Sequence, residues 1–194
     1  MTTATGTRVT PEEYLALERK AEFRNEYRNG EIVPMTGGTR EHNLLETNLI
    51  AQLHQQLSSK DYEVYPGNMR IKVDETGLYT YPDVAVVRGE PQLEDDEFDT
   101  LLNPVVLFEI LSKSTESYDR GDKFSQYRTV PTFVEYLLIS QTRMRIERFT
   151  RQPDGPWLFQ EYLKPDDVVP LDAIECRLSV GDVYHKVPLD SPRS

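Results

Sequence analysis

One cysteine, one tryptophan and three histidines are all that 194 residues contain of these types, and each scarcity removes a class of protein. A lone Cys176 cannot close an internal disulfide or assemble a thiolate metal site, which points to a reducing, cytoplasmic setting. His42, His54 and His185 show no zinc-ligand spacing, and neither a Gly-rich phosphate loop nor a Ser-His-Asp order is present. Long apolar runs are missing too. The longest, Val105 to Leu111, is broken by Glu109 and falls far short of the ~20 residues of a membrane span. Met1 to Thr10 are small and polar and do not read as a secretory leader. Positive charge is the scarcer sign: 22 Lys and Arg face 33 Asp and Glu, a net charge of −11. That balance argues against a broad cationic surface for non-specific nucleic-acid binding. It leaves room for a nuclease, whose metal-dependent site is itself acidic.

What is present suffices for a core: 38% hydrophobic and 10% aromatic residues exclude wholesale disorder. The pattern predicts a disordered tail over 1–9, one domain over 10–188 and a frayed end over 189–194. Thr10-Pro11-Glu12-Glu13 carries a capping box with proline at the first helical position. Phe23 to Tyr27 leads to a turn at Asn29-Gly30 and a short strand over Glu31 to Met35. Leu45, Leu49, Leu53 and Leu57 repeat every four residues, the stripe of an amphipathic helix over about 41–58. Strands are predicted over 62–65, 69–73, 81–87 and 104–111, then a helix over 115–128. A buried strand over 133–139 and a hairpin joining 143–149 to 157–163 follow, and a weak strand opens the tail at Leu178. The acidic stretch Glu94 to Asp99 reads as a solvated loop. The fold class is α/β, a mixed β-sheet flanked by helices.

Two carboxylates interrupt apolar strands. Asp83 follows Pro82 at a strand start, and Glu109 sits inside Val105-Val106-Leu107-Phe108-Glu109-Ile110-Leu111, where a lone charge is expensive. On neighbouring strands they could converge on one divalent cation, and oxygen ligands suit Mg²⁺ or Mn²⁺. If the next segment is helical from Asp119, then Arg120, Lys123 and Tyr127 share one face at i, i+3 and i+7.

These pieces in this order resemble the Uma-two family of restriction-endonuclease-like proteins, within the PD-(D/E)XK nuclease superfamily. The resemblance rests on Tyr81 to Val87, Phe108 to Thr115 and Asp119 to Tyr127, with Glu26-Tyr27 ahead of Asn29-Gly30 and Gly37-Gly38-Thr39 ahead of His42-Asn43. It implies a restriction-endonuclease-like core and a Mg²⁺- or Mn²⁺-dependent endonuclease acting on nucleic acid, DNA by preference, as a homodimer. It assigns Asp83 and Glu109 as metal-binding acids and Glu26 as a first-helix acid reaching the same site. Arg120, Tyr127 and His42 are expected to line the substrate. The superfamily pattern places lysine two residues after the second acid, where this chain has Leu111. The resemblance implies that Lys123, from the following helix, replaces it. Lys113 is nearer in sequence, but its position is often proline in similar sequences. The alternative is a nuclease fold that has lost cleavage and works as a binding or regulatory module, which the −11 charge and Leu111 favour.

Overall fold

Thr10 opens the first helix with both arms of a capping box: its hydroxyl accepts from the Glu13 N–H while the Glu13 carboxylate accepts from the Thr10 N–H. The computed structural model describes residues 8–189, so the tails expected over 1–9 and 189–194 lie mostly outside the described residues. Helix α1 (Pro11–Glu18) leads to a hairpin of β1 (Asn25–Arg28) and β2 (Glu31–Pro34). Its turn is Asn29-Gly30, at φ 50° and 89°, the positive values that a two-residue hairpin turn requires. Helix α2 (Arg40–Leu57) follows, then β3 (Tyr62–Pro66), β4 (Arg70–Val73), β5 (Leu78–Thr80), β6 (Val84–Arg88), β7 (Thr100–Leu101) and β8 (Val106–Leu111). A continuous helical stretch comes next: α3 (Glu116–Tyr118), a π turn (Asp119–Lys123) and α4 (Phe124–Tyr127). The chain ends with β9 (Glu135–Ser140), β10 (Ile146–Arg151), β11 (Trp157–Tyr162), β12 (Val168–Leu171), β13 (Cys176–Ser179) and α5 (Val180–Val183).

The central sheet has the order β11-β10-β9-β8-β6-β3 and is mixed, because β8 and β9 run parallel while its other neighbours are antiparallel. A five-stranded sheet, β2-β1-β5-β4-β7, and the pair β12-β13 complete the β structure. Side chains alternate across the central strands, so each face has its own core. Val84, Val86, Val106, Phe108 and Ile110 meet the four leucines of α2. Ala85, Val87, Leu107 and Leu111 meet the second sheet and the aromatic residues Phe124, Tyr127 and Phe133. Glu109 has the parity of this second face.

Four expectations need correction. Glu26 lies on strand β1, not on a helix. The strand expected from Tyr81 begins at Val84, because Pro82 offers no N–H and the chain bends at Asp83. The short strands β5 and β12 carry no alternation that would announce them. The tail after Leu178 is folded: Val180, Val183, Tyr184 and Val187 are buried in the main core, and the Tyr184 hydroxyl bonds the Ser140 carbonyl at 2.8 Å. Among the described residues, no helix is long and apolar enough to cross a membrane.

Leu49 is fully buried at the middle of the α2 stripe. Leu49→Ala is expected to lower unfolding free energy by about 2–5 kcal/mol in chemical denaturation, through lost transfer energy and a residual cavity.

Candidate functional site

The antiparallel ladder between β6 and β8 ends at Val84 opposite Phe108. One step further in register, Asp83 stands across from Glu109. With Pro82 beside it and no further ladder, the Asp83 side chain takes over the backbone's role: Oδ2 accepts from the Ile110 N–H at 2.5 Å. Where the ladder stops, a cleft of about 570 Å³ opens, lined by both Asp83 and Glu109. The hairpin β1–β2, the start of α2 and the turn after β8 form its walls.

At the floor is an ammonium surrounded by carboxylates. Lys123 Nζ lies 2.8 Å from Glu109 Oε1, 3.5 Å from Glu26 Oε1 and 3.6 Å from Asp119 Oδ1. All four side chains are 5% exposed or less. Each arrives on a different part of the chain: Glu109 on β8, Glu26 on β1, and Asp119 and Lys123 from the two ends of the π turn. Further bonds complete the cluster. The Tyr127 hydroxyl donates to Glu109 Oε1 at 3.0 Å, the Thr80 hydroxyl donates to Glu26, and Arg28 pairs with Glu26 while lying flat on the Tyr118 ring at 3.6 Å.

Burial dominates the electrostatics. It opposes the charge of Lys123, but the charges of Glu109, Glu26 and Asp119 outweigh it and hold the proton well above the usual lysine range. Glu109 moves well above the carboxylate range because burial, joined by the charges of Asp119 and Asp83, exceeds the pull of Lys123. Asp119 is raised for the same first reason. Glu26 is also buried, yet Lys123, Thr80 and Arg28 together bring it below its usual value. The result is a desolvated pocket with more acid than base.

His42, at the start of α2, points Nε2 at Asp83 Oδ1 across 3.2 Å. Burial lowers its proton affinity, but the bond to Asp83 and that carboxylate's charge raise it further, for a net increase. A Cβ at Gly38 would lie 2.8 Å from His42 Cδ2, so the bare backbone there is what lets the imidazole sit over Asp83.

Asp83, Glu109, Glu26, Lys123 and His42 are thus brought to one cleft. Arg120 and Tyr127 are not exposed in it, which corrects their expected placement. An i→i+5 turn carries an extra residue per turn, so Arg120 does not share the face of Lys123. Arg120 instead bonds Glu116 at 2.9 Å and pairs with Glu147. Tyr127 is fully buried behind Glu109, where it serves as that acid's partner. Lys113 is exposed and off the cleft. Asp119 was not singled out as a candidate from sequence. Its one visible signal is the four-residue spacing to Lys123.

Removing one member of a buried ion cluster strands the others. Lys123→Met is therefore expected to cost about 3–5 kcal/mol of stability by urea unfolding. A change below ~1 kcal/mol would mean that the ammonium is not the counter-charge of the three acids.

Comparison with known proteins sets this geometry in a family. The profile of the Uma2 family, described as "Putative restriction endonuclease", matches residues 11–181. Two curated relatives come from Synechocystis sp.: "Uncharacterized protein sll1609" is 37% identical over 84% of this chain and 92% of its own length, and "Uncharacterized protein slr1290" is 33% identical over 91% and 92%. A crystal structure described as "a putative nuclease belonging to DUF820" from Anabaena variabilis has the same fold, with a TM-score of 0.73 over 91% of this chain and 97% of that one at 17% identity. The chain therefore belongs to the Uma2 family, as the resemblance in its sequence implies.

Proposed function

We propose that the cleft is the active site of a divalent-cation-dependent endonuclease hydrolysing phosphodiester bonds in DNA. The supporting observation is the Lys123 ammonium, 2.8 Å from Glu109 in the cleft that Asp83 also lines. Leu111, where the superfamily pattern has lysine, is buried among apolar side chains of the second core. An ammonium there would be buried among them, whereas Lys123 comes from the helix with three carboxylates around it.

The donor set fits a hard cation. Asp83 and Glu109 offer carboxylate oxygens, and the surplus of buried acid favours added positive charge. Among the described residues, no three His, Cys, Asp or Glu side chains are grouped so that they could hold a metal ion. A Mg²⁺ held by two carboxylates would be completed by waters and substrate phosphate. Asp83 and Glu109 would hold the ion. When bound, it supplies Lewis-acid polarisation of a phosphoryl oxygen and lowers the pKa of a water toward neutrality.

The chain's own groups do the rest. Lys123 keeps its proton and places a fixed positive charge beside Glu109, where it orients the attacking water and stabilises charge growing on the phosphoryl oxygens. Glu26 and Asp119 hold that ammonium in place, Tyr127 holds the Glu109 carboxylate, and His42 steadies Asp83 from the α2 side. DNA is the substrate that the family's description implies. Cutting both strands of a duplex takes two such sites, so the working form is proposed to be a two-fold dimer.

Supercoiled plasmid incubated with the protein and Mn²⁺ or Mg²⁺ is expected to be nicked or linearised, and EDTA to stop the reaction. Asp83→Asn should slow cleavage about a hundredfold or more, the scale for losing one electrostatic element of a site. Lys113→Ala should leave the rate unchanged. Titration calorimetry with Mn²⁺ should give heat for the wild type and none for Asp83→Asn. A wild type with neither metal-dependent heat nor cleavage would leave the non-cleaving module, to which Leu111 and the −11 charge also point.

A further inference from the structure

We infer that Arg24 is the residue with which this cleft grips a backbone phosphate next to the one being cut. The inference rests on the nuclease reading above and adds a substrate contact to it.

The argument begins with the charges. Four basic side chains line the cleft, and three are already matched: Lys123 by Glu109, Glu26 and Asp119, Arg28 by Glu26, and His42 by Asp83. Among the described residues, Arg24 is the cleft cation with no carboxylate within ion-pair distance. It is also exposed, so its guanidinium faces solvent at the mouth.

It is nonetheless held. The Arg24 carbonyl accepts from the Met35 N–H at 2.9 Å, which ties its backbone to the end of β2. Nη1 donates to the Gly67 carbonyl. The guanidinium lies over the Tyr81 ring, 5.6 Å from its centroid. That ring is itself fixed, because its hydroxyl accepts from Arg70 at 2.9 Å and donates to Glu18 at 3.0 Å. Tyr81 is two residues before Asp83. A Cβ at Gly67 would lie 3.4 Å from the Asp83 carbonyl and 3.6 Å from Arg24 Nη1, so the guanidinium stands at the Asp83 end of the cleft.

A guanidinium presents five N–H donors, and Gly67 engages one nitrogen. The remaining edge can fork onto a phosphate. On a chain of net charge −11, with an acidic cleft floor, an unmatched cation at the mouth is where an anionic backbone is first stabilised. Its bond to Gly67 and its place over Tyr81 reduce the rotamer freedom that such a contact would otherwise have to freeze.

Binding of a fluorescein-labelled DNA oligonucleotide is measured by anisotropy over a salt series in Mg²⁺, alongside plasmid cleavage, for wild type, Arg24→Ala, Arg24→Lys and Arg88→Ala. Arg88 is exposed on β6, away from the cleft, and controls for loss of one positive charge. Arg24→Ala is expected to weaken binding about tenfold or more. It should also make the slope of log K against log salt shallower by roughly 0.7–0.9, the share of one phosphate contact. Arg24→Lys should restore the slope and part of the affinity, and Arg88→Ala should match wild type. If Arg24→Ala keeps the wild-type slope while its melting temperature falls, Arg24 only pins the loop at Gly67 and the inference is wrong. If wild type binds DNA without cutting it, the nuclease reading fails while the slope still decides the role of Arg24. If wild type does neither, both fail.

Discussion

One buried ammonium decides how this fold closes. Lys123 has no water to share its charge, and burial of that kind is tolerated only with matched partners and satisfied donors. Three acids from separate parts of the chain supply the match, so β8, β1 and the π turn meet at a single atom. The other partners follow from the same constraint. Thr80, Arg28 and Tyr127 take up carboxylate lone pairs that Lys123 leaves over. The π turn fits this scheme as well. Across it Asp119 and Lys123 still meet at their four-residue spacing, while Arg120 leaves the face of Lys123 and pairs with Glu147.

The same cluster makes the central sheet possible. Strand β8 is buried along its whole length, with apolar cores on both faces. A glutamate in its middle would normally destabilise it. Here the strand can carry Glu109 because Lys123 and Tyr127 lie directly against that residue. The partner strand ends one residue short of Asp83, and the freed Ile110 N–H finds the Asp83 carboxylate. The cleft is therefore the place where the β6–β8 ladder stops, and its two acids sit at that boundary because of the ladder's geometry.

Much of this was readable from residues whose spacing states its own period. The leucines of α2 every fourth position, the capping box at Thr10 and the apolar strands around Asp83 and Glu109 are patterns that burial enforces locally. The helical placing of Glu26 comes from the resemblance alone; the four residues of β1 are too few to show alternation against it, and only pairing with β2 and β5 makes them a strand. Arg120 was placed on the face of Lys123 by the ordinary helical period, which fails across a π turn that no residue pattern announces. The segment after Leu178 falls inside the domain expected to reach 188, but its helix goes unannounced although Val180, Val183 and Val187 carry helix-like spacing, because it is short and its burial comes from α2 and the central sheet. Arg24 could not be singled out from sequence at all. Being the unmatched cation of a cleft depends on where every other charge has gone.

That dependence also bears on the acidic character of the chain. Taken as a total, a net charge of −11 favours a module that avoids nucleic acid, but the total says little about the potential inside one cleft. What an approaching phosphate meets is local: Arg24 at the mouth, His42 over Asp83, and a floor where three carboxylates share the charge of Lys123. Burial raises the proton affinity of Glu109 and Asp119, which is how the floor accommodates acids that Lys123 alone does not balance. Apolar residues of similar volume often replace buried ion clusters at no loss of stability, so stability alone does not account for this cluster. On the nuclease reading proposed above, a divalent cation and an anionic substrate would complete the balance of charge around the three desolvated acids and Lys123.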